Sequence, residues 1–302
     1  MIRGILPALV TPYNDQGDIN LAMMRRVVRF QLDAGVSGFF VNGGTGEGLL
    51  LEPDERKAAL ETVLDEVSGQ AAVIAHVGAV ATHTAVDLAA HAAKVGATAV
   101  AAIPPIYFRQ DLAGLKEHYR LIAQGADGLP VWLYHIPGAT GVTITPDMFA
   151  ELLEIEQVRG LKFTSSDFFS MRKIIELGKE RDITVLSGSD ELCVAALVMG
   201  SHGAIGTTYN MLPGLFVRLY NCFQQGDIET ARSLQYEANR VIAALTSVYS
   251  LSALKEVMCK LGFDCGLPRR PIRPLSETEK DTLWGAMSET SIRDLVDVPI
   301  NF

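Results

Sequence analysis

The stretch KVGATAVAAI, residues 94–103, joins the end of a helix-like pattern to a short apolar run through a single glycine. Glycine suits this joint because it readily adopts the left-handed conformation with which many helices end. The stretches DAGVSGFFV and VMGSHGAIG, residues 33–41 and 198–206, repeat the arrangement. The sequence therefore predicts a helix-to-strand joint that recurs along the chain.

Eight short apolar runs are predicted as strands, and helical patterns separate them. The predicted strands are residues 4–11, 38–41, 72–77, 98–103, 130–135, 158–163, 183–187 and 203–207. The predicted helices between them lie near residues 20–34, 53–67, 82–95, 111–125, 145–154, 167–181 and 190–199. Because parallel neighbouring strands need a crossover connection, this alternation indicates repeated parallel β/α units.

The strand signal stops after residue 212, and only helical patterns follow. The economical interpretation is an α/β protein: a (β/α)8 TIM barrel over residues 1–225 with a C-terminal helical extension over residues 226–302, packed on the barrel as one structural unit. A doubly wound open sheet is the alternative. It would need a glycine-rich phosphate turn after the first strand, where this chain instead has TPYNDQGD, residues 11–18.

Composition excludes several classes of partner. The chain has 302 residues, is 48% hydrophobic and carries a formal net charge of −9, which argues against nucleic acid and anionic membranes as partners. Its four cysteines, Cys193, Cys222, Cys259 and Cys265, show no C-x-x-C spacing. They are predicted as reduced, mostly buried thiols, so we expect a soluble protein of the cytoplasm.

Lys162 interrupts an apolar run in RGLKFTSS, residues 159–166. The other lysines, Lys255 among them, lie in stretches predicted as polar helix faces. Strand alternation points Lys162 and Thr164 one way and the two flanking apolar residues the other way. Burial favours the neutral amine of a lysine, which can attack a carbonyl and form a Schiff base. The alternative is a lysine that reaches solvent or pairs with a carboxylate.

Other polar residues fall at predicted strand ends, which converge in a barrel. Tyr134 ends the strand before Lys162, where its phenol could face the amine and transfer protons, although a core tyrosine is the alternative. The loop NGGTGEG, residues 42–48, could present backbone N–H groups and Thr45 to an anion, or be a plain tight turn. Asp190 and Glu191 could accept hydrogen bonds from a polyol or cap a helix dipole. No strand-end cluster of histidines and carboxylates suits a metal, and none is predicted.

These segments together resemble the dihydrodipicolinate synthase/N-acetylneuraminate lyase superfamily. The resemblance rests on GGTGE, YHIPGATG, GLKFTSSD, GSDE and GAIGTTYN, which begin at residues 43, 134, 160, 188 and 203, and it covers nearly the whole chain. It implies a (β/α)8 barrel, a homotetramer, and a lyase that condenses or cleaves 2-oxo acids through a lysine Schiff base with no metal or organic cofactor.

The resemblance also implies a role for individual residues. Lys162 would form the Schiff base, Tyr134 would relay protons, and Thr45 with its loop N–H groups would hold the pyruvate carboxylate. Tyr107 would assist the site, in many members from a neighbouring subunit. The implied substrate contacts are Gly44, Thr45, Thr164, Gly188, Asp190, Glu191, Gly206 and Thr207.

The branch of the superfamily decides the substrate. GTTYN, residues 206–210, looks most like the N-acetylneuraminate lyases, and Ala139 stands where the synthases carry arginine. Gly44 replaces one of two hydroxyl residues usual before G-E, and Ser189 replaces a bulky residue of bacterial lyases. Gly44 favours a 2-keto-3-deoxy sugar acid aldolase or dehydratase, and a dihydrodipicolinate synthase or a non-catalytic sugar-acid binding protein are further alternatives.

Overall fold

The predicted barrel is confirmed. In a computed structural model, which describes residues 1–108 and 110–300, eight parallel strands form one sheet surrounded by helices. The strands are β1 Gly4–Pro7, β2 Gly38–Val41, β3 Ala72–His76, β4 Ala99–Ala102, β5 Val131–His135, β6 Val158–Phe163, β7 Thr184–Ser187 and β8 Gly203–Gly206. Each corresponds to a predicted strand, and β2 and β6 have the predicted bounds.

The sheet closes between its first and second strands. Its order is β1-β8-β7-β6-β5-β4-β3-β2, and Ala8, just after β1, bridges in parallel to Phe40 of β2. The first strand was predicted to run to residue 11 and is shorter. Beyond the bridge the backbone binds a side chain instead of a strand, since the N–H of Val10 donates to Asn210 Oδ1 at 3.0 Å.

Thirteen helices surround or follow the strands in the part of the chain that is described. They are α1 Leu21–Asp33, α2 Pro53–Val67, α3 Thr82–Lys94, α4 Leu112–Gly125, α5 Pro137–Thr140, α6 Pro146–Leu152, α7 Phe168–Leu177, α8 Cys193–Val198, α9 Pro213–Gln224, α10 Ile228–Thr246, α11 Ser250–Lys260, α12 Glu277–Ser288 and α13 Ile292–Leu295. The short α5 and α13 were not predicted. The helices predicted at 167–181 and 190–199 are each split, with 3-10 turns at Lys179–Arg181 and Asp190–Leu192.

Alternate strand residues form two apolar layers. The layer inside the barrel includes Phe40, Trp132 and Tyr134, whereas Leu161 and Phe163 of β6 belong to the layer between strands and helices. Lys162 lies between these two residues and therefore points into the barrel, as the alternation predicts. Gly160 makes room in the same interior, because a Cβ there would lie 2.2 Å from the ring of Trp132.

The C-terminal helices pack against the barrel and one another. Helix α10, the first helix of the extension, contacts α8 and α9 of the barrel and α11 and α12 of the extension. The division at residues 225 and 226 stays a prediction. No single helix among the described residues is long and apolar enough to cross a membrane. Helices α10 and α11 together have the length and composition for it, but they form a pair bent by 111°. All four cysteines are free thiols, two buried, one partly buried and one exposed. The cytoplasmic location stays a prediction.

Candidate active site

The barrel brings Lys162 and Tyr134 together. The two residues are paired across β5 and β6, and Lys162 Nζ donates to the phenol oxygen of Tyr134 at 3.1 Å. Their relative exposures are only 4% and 5%. An amine and a phenol are therefore in hydrogen-bond contact inside the barrel, near the carboxyl end of its strands, where barrel enzymes place their active sites.

Aromatic rings surround the amine. Lys162 Nζ lies 4.2 Å from the ring centroid of Tyr134 and 4.5 Å from that of Phe40, and the two rings pack edge to face at 5.5 Å. Ring faces attract a cation when the amine is protonated, while their apolar surface excludes water from it. Sequence reasoning missed Phe40. Its signal was the alternation within β2, which turns Phe40 inward and Phe39 outward.

His76, at the end of β3, is a neutral neighbour of this pair. Its ring packs edge to face on Tyr134 at 5.8 Å, and its Nδ1 is 2.9 Å from the carbonyl oxygen of Asn42. Burial, aided by the nearby charge of Arg56, lowers the pKa of His76 to about 3. The histidine therefore stays uncharged at neutral pH and links Tyr134 to the loop that follows β2.

That loop places Thr45 beside Thr207. The two hydroxyls are hydrogen-bonded at 2.7 Å, because β2 and β8 lie on either side of β1. Glu47 and Gly48 donate their N–H groups to the Gly44 and Gly43 carbonyls inside the loop, whereas the N–H groups of residues 44–46 have no backbone acceptor among the described residues. Gly44 is exposed, and no atom lies within 4 Å of the position that its Cβ would occupy.

The ends of β6 and β7 approach closely at a glycine. A Cβ on Gly188 would lie 1.9 Å from Thr164 Oγ1 and 3.2 Å from Lys162 Cε, so no other residue fits without rearrangement. Thr164 and Gly188 are thus next to the amine. The hydroxyl of Thr164 is buried and has no hydrogen-bond partner among the described residues, which leaves it available to a ligand.

Asp190 holds the loop that carries Thr207. Its carboxylate accepts from the N–H and the hydroxyl of Thr208 at 2.7 and 2.6 Å, and from the N–H of Thr207 at 3.3 Å. Burial raises the pKa of Asp190 to about 6, although the bonds from Thr208 oppose the shift. Gly206 gives the carboxylate space, since a Cβ there would lie 2.4 Å from Asp190 Oδ1. Glu191, by contrast, is exposed.

Tyr107 is placed differently from the other predicted residues. Its side chain is 89% exposed, its φ is 70°, and its ring packs edge to face on the exposed ring of Phe108 at 4.9 Å. The buried group around Lys162 is thus assembled from the strand ends, and Tyr107 lies on the surface of the chain.

One prediction about lysines was wrong. Lys255 of α11 is buried instead of lying on a polar helix face, and its Nζ is 2.7 Å from Glu47 Oε1. The helical spacing could have indicated this burial, because Lys255 shares a helix face with the apolar residues Leu251 and Met258. In the described ranges 1–108 and 110–300, no group of three or more His, Cys, Asp or Glu side chains could hold a metal ion.

We expect acid to destabilise the fold below pH 6.5. Burial lowers the pKa of His76 to about 3 and those of His118 and His135 to about 4. The unfolded chain therefore binds more protons than the folded chain between pH 6.5 and 4, and stability falls as the pH falls. Asp190, whose pKa is raised, offsets part of this effect. Since a shift of one pKa unit corresponds to about 1.4 kcal/mol, the free energy of unfolding falls by a net amount on the order of several kcal/mol.

Urea unfolding at pH 7, 5.5 and 4.5 measures this loss as a falling midpoint. His118→Gln should flatten the dependence on pH by removing one of the three histidines. The exposed His83 supplies the matched control, and His83→Gln should leave the dependence unchanged. A midpoint independent of pH over this range would contradict the prediction.

Fold and site together define the class: a barrel lyase with a buried lysine at its strand ends. The chain belongs to the Dihydrodipicolinate synthetase family, whose sequence profile matches residues 1–290. It is 39% identical over 287 residues to an N-acetylneuraminate lyase of Rhizobium meliloti (strain 1021), covering 95% of both chains. It is 36% identical over 277 residues to one of Escherichia coli (strain SE11), covering 91% of this chain and 93% of that one.

Solved structures of relatives have the same fold. The wild-type sialic acid aldolase of Ruminococcus gnavus superposes with a TM-score of 0.93 at 29% identity, covering 97% of this chain and 98% of that one. A dihydrodipicolinate synthase from Bacillus anthracis superposes with a TM-score of 0.90 at 31% identity, covering 96% and 98%. The protein is accordingly a pyruvate-dependent carbon–carbon lyase, as predicted, of the class I aldolase type.

Proposed function

We propose that the protein cleaves N-acetylneuraminate reversibly into N-acetylmannosamine and pyruvate through a Schiff base on Lys162. One observation carries the proposal: the buried amine of Lys162 lies 3.1 Å from the phenol of Tyr134 inside the barrel. Two relatives named N-acetylneuraminate lyase, at 39% and 36% identity over most of the chain, support the choice of substrate.

Lys162 begins the reaction. Its neutral amine attacks the C2 ketone of the open-chain sugar acid, and loss of water forms an iminium. The aromatic surroundings of Phe40 and Tyr134 exclude bulk water, which keeps the amine reactive and the iminium from early hydrolysis. The iminium then accepts the electron pair of the C3–C4 bond as that bond breaks.

Tyr134 transfers the protons of the cleavage. The C4 hydroxyl loses its proton through the phenol as the C3–C4 bond breaks, and the aldehyde leaves. The resulting enamine takes a proton at C3, and water then attacks C2, releases pyruvate and restores the lysine. These steps need no metal or organic cofactor.

The strand-end loops hold the substrate. Thr45 and the N–H groups of residues 44–46 bind the pyruvate carboxylate, and Thr207, hydrogen-bonded to Thr45 at 2.7 Å, begins the surface that contacts the sugar chain. Thr164, whose hydroxyl has no partner in the described part of the chain, continues that surface. The remaining contacts are assigned to Gly188, Asp190, Glu191 and Gly206.

Tyr107 completes the site of a neighbouring subunit in a homotetramer. Its side chain is 89% exposed, and Phe108 beside it is 65% exposed. Large apolar side chains paired on a surface are typical of protein contacts. This assignment rests on the exposure and on the family resemblance.

A second candidate is a 2-keto-3-deoxy sugar acid aldolase or dehydratase that uses the same lysine. Gly44 favours it, because the glycine leaves open space where the family usually has a hydroxyl, and one contact to the substrate is therefore absent. Ala139, which cannot grip a carboxylate, argues against a dihydrodipicolinate synthase.

Reductive trapping distinguishes these functions. The protein is incubated with borohydride and N-acetylneuraminate, pyruvate or a 2-keto-3-deoxy sugar acid, and its intact mass is measured. We expect a pyruvate-sized adduct from N-acetylneuraminate, because cleavage leaves pyruvate on Lys162. Free N-acetylmannosamine in the supernatant, measured in parallel without borohydride, confirms the second product.

Each other result points elsewhere. An adduct from pyruvate and from the 2-keto-3-deoxy acid, but none from N-acetylneuraminate, would favour the second candidate. A sugar-sized adduct without release of pyruvate would show binding without cleavage. No adduct from any of the three acids would reject the Schiff-base mechanism and favour a sugar-acid binding protein.

A further inference from the structure

A second buried lysine connects the C-terminal helices to the loop of Thr45. Lys255 lies on α11, and the side chains of Lys255 and Glu47 are 1% and 0% exposed. Lys255 Nζ lies 2.7 Å from Glu47 Oε1 and 3.4 Å from the carbonyl oxygen of Leu267. Burial lowers the pKa of Lys255, while Glu47 opposes that shift. The mechanism proposed above uses neither residue.

The segment after α11 adds to this contact. The backbone N–H of Arg269 donates to Glu47 Oε2 at 2.6 Å, so both carboxylate oxygens of Glu47 are held by residues from beyond the barrel. The Arg269 guanidinium donates to both oxygens of Glu55 at 2.6 and 2.8 Å and to the carbonyl of Leu50 at 3.1 Å. The loop and the start of α2 are thus fixed from one side.

The loop itself is closely packed on the other side. Thr11 Oγ1 donates to the carbonyl of Gly46 at 2.7 Å, and a Cβ on Gly48 would lie 1.8 Å from the carbonyl oxygen of Asn42. Glu47 adopts a left-handed conformation with φ of 56°. Since Glu47 is only two residues after Thr45, we expect a change in its anchoring to move the Thr45 hydroxyl and the N–H groups of residues 44–46, to which the proposed function assigns the carboxylate.

We infer that Lys255 and Arg269 are positioning residues, which act through Glu47 to hold Thr45 and the N–H groups of residues 44–46 in the geometry that binds a 2-oxo acid carboxylate. The inference rests on the proposed function of that loop. It makes the C-terminal helices part of the active site through their contacts with Glu47. An ion pair withdrawn from water suits this role, because its geometry is rigid and loss of one partner leaves the other charge unpaired.

The test is the pyruvate concentration that gives half-maximal trapping by borohydride. For Lys255→Met we expect this concentration to rise about tenfold or more, with the trapping rate at saturating pyruvate within about threefold of the unmodified protein. The exposed Lys260, on the same helix, provides the control, and Lys260→Met should change neither value. A purely structural role would lower the amount of folded protein without moving the half-saturation concentration.

Further variants keep the test decisive if Lys255→Met does not fold. Glu47→Gln combined with Lys255→Met removes both charges, so we expect it to fold and still show a raised half-saturation concentration. Arg269→Met should weaken pyruvate binding as well, whereas Arg273→Met, which breaks an exposed pair with Glu279, should not.

Two results would overturn the inference and one would overturn its basis. A folded Lys255→Met or double variant with unchanged half-saturation would reject the positioning role. A double variant that fails to fold would assign the pair to folding alone. If the unmodified protein traps no 2-oxo acid at all, the proposed function itself fails, and that result is distinct from the other two.

Discussion

Lys162→Ala forms no borohydride-stable adduct with pyruvate and loses sugar-acid cleavage by roughly 10⁴-fold or more, the scale seen when a covalent nucleophile is removed. Without the amine no iminium forms, so the electrons of the C3–C4 bond have no acceptor. Intact mass after trapping and a coupled assay for pyruvate measure the two effects. Lys162→Arg should lose the adduct and the activity as Lys162→Ala does, because the arginine guanidinium keeps the positive charge but does not attack a ketone.

The control for Lys162 is a lysine with a similar ring contact but no burial. Lys173 Nζ lies 4.5 Å from the ring centroid of Phe169, and the lysine is exposed. Lys173→Ala should keep both the adduct and the activity. A Lys162→Ala protein that is still trapped by pyruvate would place the Schiff base on another lysine and reject the proposed mechanism.

The fold could be predicted because its signals are local. The glycine in KVGATAVAAI becomes Gly96, with φ of 85° after α3, and the residues after it form β4. At the start of α6, Thr145 Oγ1 accepts from the N–H of Met148 at 3.2 Å, a capping contact typical of threonine before a helix that begins with proline. Each such signal depends on a few neighbouring residues, so eight strand runs that alternate with helical patterns indicate a barrel before any long-range contact is known.

The direction of Lys162 was also a local property. Alternation in β6 turns Leu161 and Phe163 toward the helices, which leaves the lysine inside. The contact with Tyr134 needed one further assumption, that β5 and β6 are parallel neighbours, and the barrel topology supplies it. These two residues were therefore accessible from sequence.

The rest of the site depends on closure of the barrel and on distant segments. Thr45 contacts Thr207 only because β2 and β8 flank β1 in the closed sheet. No local sequence pattern predicts the hydrogen bond between these two threonines. Lys255 was misassigned for a related reason. Its partner, Glu47, is more than two hundred positions away, and a lysine in a helix is usually solvated when no such partner is known.

Tyr134→Phe lowers kcat for cleavage by roughly 10²- to 10⁴-fold, the usual contribution of a positioned proton-transfer group. The substitution removes the oxygen 3.1 Å from Lys162 Nζ but keeps the ring that packs against Phe40 and His76. The C4 hydroxyl then has no phenol through which to lose its proton, so the step that breaks the C3–C4 bond slows. Because Lys162 remains, pyruvate is still trapped on prolonged incubation, and trapping and turnover separate.

A second buried tyrosine makes this separation interpretable. Tyr119 is fully buried and donates to the carbonyl of Ala102 at 3.0 Å, on the helix side of the barrel wall. Tyr119→Phe also loses a buried hydroxyl, at a cost of about 1–3 kcal/mol to stability, yet it should keep kcat. If Tyr134→Phe kept kcat too, the phenol would be only a core group. The proton of the C4 hydroxyl would then have to leave through another residue, and Thr164, beside Lys162, is the next candidate. A loss confined to Tyr134→Phe, with trapping intact, instead places the phenol in the cleavage step and assigns the amine and the phenol separate parts of one reaction.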